Sequence, residues 1–184
     1  CGKYLKDIGK LAEGKITATV MSNIGLHKYL EQHGIDVDVT KVGDRYVLES
    51  MLQTGSVLGG EQSGHMIFLD YTTTGDGVLS SLQFMKAYLA SGSKLSELRD
   101  EIHIYPQALV NAGVDNAYKQ AALEDEEVKE FIGKVEAKLE GTGRVLIRPS
   151  GTEPLIRVML EGEDSEEIRG YAEQIAELIH KKFG

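Results

Sequence analysis

Residues 16–42 read ITATVMSNIGLHKYLEQHGIDVDVTKV, and this stretch decides the fold of the first part of the chain. The β-branched run Ile16–Val20 predicts a strand, and the apolar spacing over Leu26–Gln32 predicts a helix that stops at Gly34. A second β-branched strand is expected over Ile35–Val42. Strand, helix and strand in succession favour a parallel sheet with right-handed crossovers, because parallel neighbours need a long connection between them.

Elements on both sides of this stretch continue the pattern. Apolar residues at helical spacing predict a helix from Tyr4 to Gly14 and another from Asp44 to Gly55, with Asp44 as its N-cap. Short strands are expected over Ser56–Leu58 and Met66–Tyr71, on either side of a glycine-rich loop. The predicted architecture is α/β/α, with helices on both faces of a parallel sheet.

One further helix completes this first domain. It begins at Asp76, which is typical of an N-cap, and its apolar residues are expected on one inward face: Val78, Leu79, Leu82, Met85 and Leu89. The small polar residues Ser91–Lys94 then interrupt the pattern. We therefore expect a first domain at residues 1–98 and a second at residues 99–184.

The second domain reads as a small α+β domain, with two helices packed on an antiparallel sheet. Two strongly apolar strands joined by a short loop predict a hairpin, and a capping-box-like start predicts the last helix. The expected elements are a strand to Val114, a helix over Glu124–Leu139, strands over Arg144–Arg148 and Leu155–Leu160, and a helix from Asp164.

Composition excludes several classes of partner. The chain has 20 Lys and Arg against 29 Asp and Glu, a formal net charge of −9, whereas proteins that bind nucleic-acid phosphates normally show a basic face. No apolar run approaches the roughly 20 residues of a membrane helix, so neither nucleic acid nor a membrane is expected as a partner. The single cysteine, Cys1, makes a cytoplasmic location the default. Because the chain begins inside a predicted helix, we expect it to be part of a longer protein.

The loop Arg148–Pro154 has the composition of an anion site. Ser150 and Thr152 offer hydroxyl donors, and Gly151 lets backbone N–H groups approach a ligand closely. Arg148 adds a planar charged fork suited to phosphate, and Arg157 on the next strand is a second cation. The alternative is a polar hairpin turn stabilised by its own Ser and Thr side chains.

A second candidate site lies in the glycine-rich loop. Glu61, Ser63 and His65 alternate, so in an extended segment they would project to one side. A carboxylate, a hydroxyl and an imidazole together can accept from and donate to the hydroxyls of a polyol such as a sugar ring. The alternative is the solvated face of an edge strand.

Asp44 and Arg45 follow the strand Ile35–Val42, at the carboxyl edge where open α/β sheets bind ligands. Helix capping is the alternative role for Asp44. The run Thr72–Gly77 holds one carboxylate, and the remaining histidines lack the spacing of zinc ligands. No metal ligand is therefore expected in the chain.

Three motifs, in this order, resemble those of the α-D-phosphohexomutase superfamily: Gly60–His65 (GEQSGH), Thr73–Gly77 (TTGDG) and Arg148–Pro154 (RPSGTEP). In that family a sugar-binding loop of the form GExSGH lies in the third of four domains, and an Arg/Ser/Gly/Thr loop in the fourth holds the substrate phosphate. The resemblance spans the whole chain. It implies that residues 1–98 are a third domain and residues 99–184 a fourth.

The resemblance also implies roles for individual residues. The residues implied to contact the sugar are Glu61, Ser63 and His65, together with Asp44 and Arg45 of the substrate-facing loop. The residues implied to hold the phosphate are Arg148, Ser150, Gly151, Thr152 and Arg157.

The implied reaction is interconversion of glucosamine 6-phosphate and glucosamine 1-phosphate through a bisphosphorylated intermediate, on the route to cell-wall amino sugars. The family's phosphorylated serine and magnesium loop belong to its first two domains, so this chain would recognise the phosphosugar and hold no catalytic residue. Mg²⁺, a hexose or hexosamine 1,6-bisphosphate activator and the N-terminal domains of the same protein would complete the enzyme. Two alternatives stay open: a phosphomannomutase/phosphoglucomutase, and a non-catalytic module that binds sugar phosphates.

Overall fold

The computed structural model describes residues 1–184, which form two compact units, Cys1–Ile104 and Tyr105–Gly184. The boundary expected after residue 98 would cut a short helix, Leu95–Asp100, which belongs whole to the first unit. The Tyr29 hydroxyl donates to Glu101 Oε2 at 2.8 Å, which ties the segment after this helix to the first unit.

The first unit contains five helices, a 3₁₀ turn and four strands. In chain order they are α1 (Gly2–Asp7), the 3₁₀ turn (Ala12–Gly14), β1 (Lys15–Thr19), α2 (Ile24–Gln32), β2 (Asp36–Thr40), α3 (Asp44–Thr54), β3 (Leu58–Gly60), β4 (Met66–Phe68), α4 (Gly77–Ser91) and α5 (Leu95–Asp100).

The sheet of the first unit has the strand order β2-β1-β3-β4. β1 pairs in parallel with both β2 and β3, which confirms the parallel sheet, and β4 adds an antiparallel edge. Residues 16–19 are buried, as expected for a central strand covered on both faces.

Helices cover both faces of this sheet. Successive residues of a strand point to opposite faces, and Ile67 and Phe68 of β4 belong to different apolar clusters. Ile67 packs with Val47 and Met51 of α3, whereas the cluster that contains Phe68 draws on α1, α2 and α4. The α/β/α prediction is therefore confirmed.

Two helix boundaries differ from the predictions. The first helix ends at Asp7 rather than Gly14, because Gly9 adopts a left-handed conformation (φ +67°) and the chain leaves the helix there. Asp44 is the first residue of α3, and Gly43 is its N-cap. Gly43 has φ +131°, a conformation that the side chain of an aspartate would strain, so the cap position falls one residue earlier than predicted.

The predicted apolar face of α4 is not buried as one face. Leu79 packs against the core, but four of its predicted companions are exposed: Val78 (72%), Leu82 (58%), Met85 (53%) and Leu89 (75%). The helix carries apolar residues around most of its circumference, so apolar spacing alone did not identify the side that faces the sheet. Asp76 does cap α4, accepting from the Leu79 N–H at 2.9 Å.

The second unit is an antiparallel three-stranded sheet with helices. Its elements are β5 (Gln107–Gly113), α6 (Lys119–Glu124), α7 (Glu126–Lys138), β6 (Arg144–Pro149), β7 (Leu155–Glu161) and α8 (Ser165–Phe183), with strand order β5-β7-β6. The helix expected over Glu124–Leu139 is α7, and Asp125 caps it by accepting from the Val128 N–H. The short helix α6, which precedes it, was not predicted.

The core of the second unit lies between β7 and α8. Ile156, Val158 and Leu160 alternate along β7 on one face and are fully buried. The inward residues of α8 recur at helical spacing and complete the core: Ile168, Ala172, Ile175 and Ile179. The α+β prediction is confirmed. No helix of either unit has both the length and the apolar character needed to cross a membrane.

The two sides of α4 should respond differently to truncation. We expect Leu79→Ala to lower the free energy of unfolding by about 1–2 kcal/mol, because Leu79 is partly buried and packs against the apolar cluster. Leu82→Ala should change it by less than about 0.5 kcal/mol, because that side chain is exposed. Urea unfolding of the two variants measures the difference. Equal losses would show that both faces of α4 are packed.

Candidate functional site

The loop predicted to bind an anion is the tip of the β6–β7 hairpin. The antiparallel register places Arg148 directly opposite Arg157, and Asn111 of β5 lies opposite Arg157 on its other side. Residues directly opposite one another in an antiparallel pair share a face of the sheet. The hairpin therefore carries a row of Asn111, Arg157 and Arg148, in which Asn111 is a polar group that the sequence interpretation missed.

The two arginines differ in their partners. Arg157 Nη2 lies 2.8 Å from Glu153 Oε2, in an ion pair that is partly exposed. Arg148 has no ion pair or side-chain hydrogen bond with any residue of the chain. Like charges directly opposite each other destabilise a sheet, and a bound anion would remove that repulsion. The register thus creates a position suited to a phosphate group.

The hairpin loop, Ser150–Pro154, is braced from within. The Ser150 N–H donates to the Leu155 carbonyl at 3.0 Å, and Ser150 Oγ accepts from the Glu153 N–H at 3.1 Å. Ser150 is buried, whereas Gly151 and Thr152 are exposed at the tip. Of the two predicted hydroxyl donors, Thr152 is therefore open to solvent and Ser150 faces the interior of the loop.

A lysine that the sequence interpretation did not consider also contacts this loop. Lys119 Nζ donates to the carbonyl groups of Ser150 at 2.6 Å and Glu153 at 2.5 Å. No local pattern could have indicated this contact, because the partners are 31 and 34 positions away along the chain. A lysine at the start of a short helix ordinarily indicates a solvated face.

The second candidate site is a tight turn, not the extended segment that the alternation suggested. The Glu61 N–H donates to the His65 carbonyl at 2.9 Å, and the Gly64 N–H donates to the Glu61 carbonyl at 3.0 Å. Gly64 has φ +94°, which a turn of this shape requires of one residue. The premise that Glu61, Ser63 and His65 project to one side of a strand was wrong, because these residues form a turn in which Glu61 contacts Gly43 while Ser63 and His65 line a pocket.

Glu61 reaches the start of α3. Its Oε2 accepts from the Gly43 N–H at 2.9 Å, so the carboxylate satisfies a backbone donor at the helix N-terminus. This bond places the GEQSGH turn beside Asp44 and Arg45.

Asp44 and Arg45 are both exposed at this helix end. Asp44 Oδ1 accepts from the Arg45 N–H at 2.8 Å, and Arg45 Nε donates to Glu49 Oε1 at 2.8 Å. The hydrogen bond to Glu49 raises the pKa of Arg45 above its already high ordinary value. Arg45 is thus a cation on an exposed side chain (81%), paired with Glu49.

Ser63 and His65 open onto a different surface of the turn. They line a pocket of about 240 Å³ together with Gly64, Met66, Gly75, Asp76, Gly77 and Ser80. A Cβ on Gly75 would collide with the imidazole ring of His65, so the TTGDG segment can lie against His65 because position 75 has no side chain. The structure therefore joins the first two motifs of the resemblance in one pocket.

Mg²⁺ does not fit a site built from this chain. Nowhere in residues 1–184 do three or more His, Cys, Asp or Glu side chains group closely enough to hold a metal ion. Divalent cations of this kind need several oxygen ligands. No chemistry of a metal ion is therefore assigned to residues of this chain.

The chain combines an α/β/α unit that carries a GEQSGH turn with an α+β unit whose hairpin places two arginines side by side, and this combination defines a two-domain class. A family model described as phosphoglucomutase/phosphomannomutase, alpha/beta/alpha domain III matches residues 1–105, and the C-terminal domain of the same family matches residues 109–178. The chain belongs to the phosphoglucomutase/phosphomannomutase family.

Individual relatives agree with this assignment. The chain is 52% identical to a phosphoglucosamine mutase of Streptococcus gordonii over 100% of its length, and 57% identical to one of Caldicellulosiruptor bescii over 97%. It spans 41% and 40% of those two proteins. A solved N-acetylphosphoglucosamine mutase of Aspergillus fumigatus has the same fold, with a TM-score of 0.77 at 18% identity, over 98% of this chain and 42% of that one.

The bond between Glu61 and Gly43 gives Glu61 a measurable part in stability. Glu61→Ala should lower the free energy of unfolding by about 0.5–2 kcal/mol, as the loss of other helix N-terminal acceptors does. Glu61→Gln should cost less than about 0.5 kcal/mol, because the amide keeps an acceptor oxygen.

Urea unfolding of the chain compares these variants with Glu49→Ala, which removes only the exposed pair with Arg45. If Glu61→Ala is no more destabilising than Glu61→Gln, the carboxylate does not hold the start of α3.

Proposed function

We propose that this chain recognises the substrate in an enzyme that interconverts glucosamine 6-phosphate and glucosamine 1-phosphate. The observation that carries the proposal is the register of β6 and β7, which sets Arg148 opposite Arg157 beside an exposed Gly-Thr tip. The 52–57% identity to phosphoglucosamine mutases supports glucosamine as the sugar. Because the chain spans about two fifths of those relatives, the complete activity is proposed for the whole protein.

The hairpin would bind the phosphate group through complementary donors. Arg148, which has no partner in the chain, supplies a bidentate guanidinium. Arg157 can exchange its contact with Glu153 for the phosphate, or bind both. The Gly151 N–H and the Thr152 hydroxyl would donate from the tip, and Ser150 would shape the loop by accepting from the Glu153 N–H.

The GEQSGH turn would contact the hydroxyls of the sugar. Glu61 uses one carboxylate oxygen on the Gly43 N–H, which leaves the other oxygen to accept from a sugar hydroxyl. Ser63 and His65 line the adjoining pocket, where they can donate or accept. Asp44 and Arg45 stand at the neighbouring end of α3 and add one charge of each sign.

The chemical step would use groups outside this chain. Phosphoryl transfer needs a phosphate carrier and a cation that offsets the charge on the transferring group. A phosphorylated serine, Mg²⁺ and a hexose or hexosamine 1,6-bisphosphate would supply them in the complete cytoplasmic enzyme, through its N-terminal domains. One structurally similar protein, an N-acetylphosphoglucosamine mutase of Aspergillus fumigatus, was solved in complex with GlcNAc-6P and magnesium, which supports a phosphosugar substrate and a requirement for Mg²⁺. The role of the present residues is to bind and orient the phosphosugar.

Arg148→Ala should weaken the binding of glucosamine 6-phosphate by roughly 1.5–3 kcal/mol, the contribution of hydrogen bonds to charged groups. The matched control is Lys134→Ala, which removes an exposed cation of the same unit that pairs only with Glu130. Calorimetric titration of the two variants and the unaltered chain measures the difference. Equal affinities of the two variants would show that the hairpin is an ordinary polar turn and not a phosphate site.

The chain by itself should show no mutase turnover, because it contains neither a metal-ligand cluster nor the family's phosphorylated serine. The assay combines the pure chain with glucosamine 6-phosphate, Mg²⁺ and glucose 1,6-bisphosphate, and follows formation of glucosamine 1-phosphate. The positive control is a full-length relative in the same buffer. Turnover above background would contradict the proposed division between recognition and phosphoryl transfer.

A further inference from the structure

The geometry points to Lys119 as the positioning residue of the phosphate-binding loop. We infer that its ammonium group holds the carbonyl groups of the Ser150–Pro154 loop inward, so that the loop presents its donors to a phosphate. The inference rests on the proposed function, because it assigns Lys119 to the same site.

Lys119 is unusual among the lysines of this chain because it is almost fully buried. The residue is 8% exposed, and its Nζ lies 2.6 Å from the Ser150 oxygen and 2.5 Å from the Glu153 oxygen. A lysine is seldom buried unless its charge is paired or hydrogen-bonded, and an ammonium group carries three donors and no acceptor. Two of these donors are committed to the two ends of one turn.

Solvation of the loop does not explain this contact. The loop lies at the surface, where water can hydrogen-bond to backbone carbonyl groups at little cost. Withdrawing an ammonium group from water costs free energy, and hydration of the two carbonyl groups by water would avoid that cost. What Lys119 adds is a fixed direction for two carbonyl groups that a solvated loop would leave free to rotate.

The orientation of these two carbonyl groups affects how well the loop can bind an anion. Carbonyl oxygens repel phosphate oxygens, whereas N–H and O–H groups attract them. With the oxygens of Ser150 and Glu153 turned toward Lys119, the exposed tip at Gly151 and Thr152 faces outward. The buried positive charge also lies directly beneath the loop, where it favours a bound anion.

The neighbouring structure holds Lys119 in place. Lys119 is the first residue of α6, which is anchored by the fully buried Ala122 and packs against α7 and α8. The Val114 N–H donates to the Pro154 carbonyl at 3.0 Å, so a third carbonyl of the loop is also bound from this side. The short segment between β5 and α7 thus acts as the support of the β6–β7 loop.

The test uses the isotope-labelled chain of 184 residues and glucosamine 6-phosphate as the probe. Binding is followed through the amide resonances of Gly151 and Thr152. Lys119→Met, which keeps the length of the side chain but loses the charge and the donors, should weaken binding at least about tenfold, equivalent to roughly 1.4 kcal/mol. The matched control is Lys182→Met, which removes a lysine of the same unit that bonds to Asp125 and Glu127 instead; its affinity should stay within about twofold.

A second readout separates positioning from general stability. The Glu153 N–H, which donates to Ser150 Oγ, should exchange with solvent faster in Lys119→Met even without ligand. The Glu167 N–H, bound by the cap Asp164 at the start of α8, should exchange at the unaltered rate. Lys119→Arg should recover part of the affinity, because it keeps the charge and the donors.

The outcomes distinguish the two proposals. If the unaltered chain shows no shift at Gly151 and Thr152, the proposed phosphate site fails and this inference fails with it. If the unaltered chain binds and Lys119→Met binds equally well, only the role of Lys119 is overturned. Should Lys119→Met not fold, Lys119→Arg is compared with Lys119→Gln; we expect Arg to bind about fivefold more tightly, near 1 kcal/mol, and equal affinities would overturn the inference.

Discussion

Burial of one central strand in each sheet is the constraint on which the rest of this chain depends. β1 is hydrogen-bonded on both edges and covered on both faces in the first unit, and β7 is paired on both edges in the second. Side chains on the covered faces of these strands pack in the core and cannot meet a ligand. The polar groups of the candidate sites therefore lie at strand ends, in the turns that join strands or, as Arg157 does on β7, on the face opposite the helix-covered core.

In the β6–β7 hairpin, the strand register decides which charged side chains face one another. A shift of one residue would separate Arg148 from Arg157 and move one of them to the helix-covered face. In the observed register the two charges face each other, and Glu153 neutralises only one of them.

Glu153 takes part in the loop through three groups: its carboxylate binds Arg157, its N–H binds Ser150 and its carbonyl group binds Lys119. This internal bonding leaves the loop ordered before any ligand arrives, which reduces the entropy lost on binding.

Glu61 links the other candidate site to the fold. A residue that binds only a sugar could be replaced without effect on stability, whereas Glu61 also accepts a hydrogen bond from the start of α3. The bond from the Gly43 N–H to Glu61 gives the carboxylate both environments, because one oxygen faces α3 and the other remains free. The position of the GEQSGH turn is consequently tied to the start of α3, where Asp44 and Arg45 lie.

The amino-acid sequence by itself determined the α/β and α+β architecture and the hairpin with its Arg, Ser, Gly and Thr residues, because these depend on local spacing. Alternating apolar residues predict β7, the Gly34 and Gly55 stops predict helix ends, and Arg148–Pro154 carries its own chemistry. The tertiary structure alone decided which side of α4 is buried, since that helix carries apolar residues around most of its circumference. It also decided the contacts of Lys119 with Ser150 and Glu153 and of Glu61 with Gly43, which join residues 18 to 34 positions apart. Such bonds form because the packing of whole elements brings distant groups together. The periodicity of residues along the chain does not predict that packing.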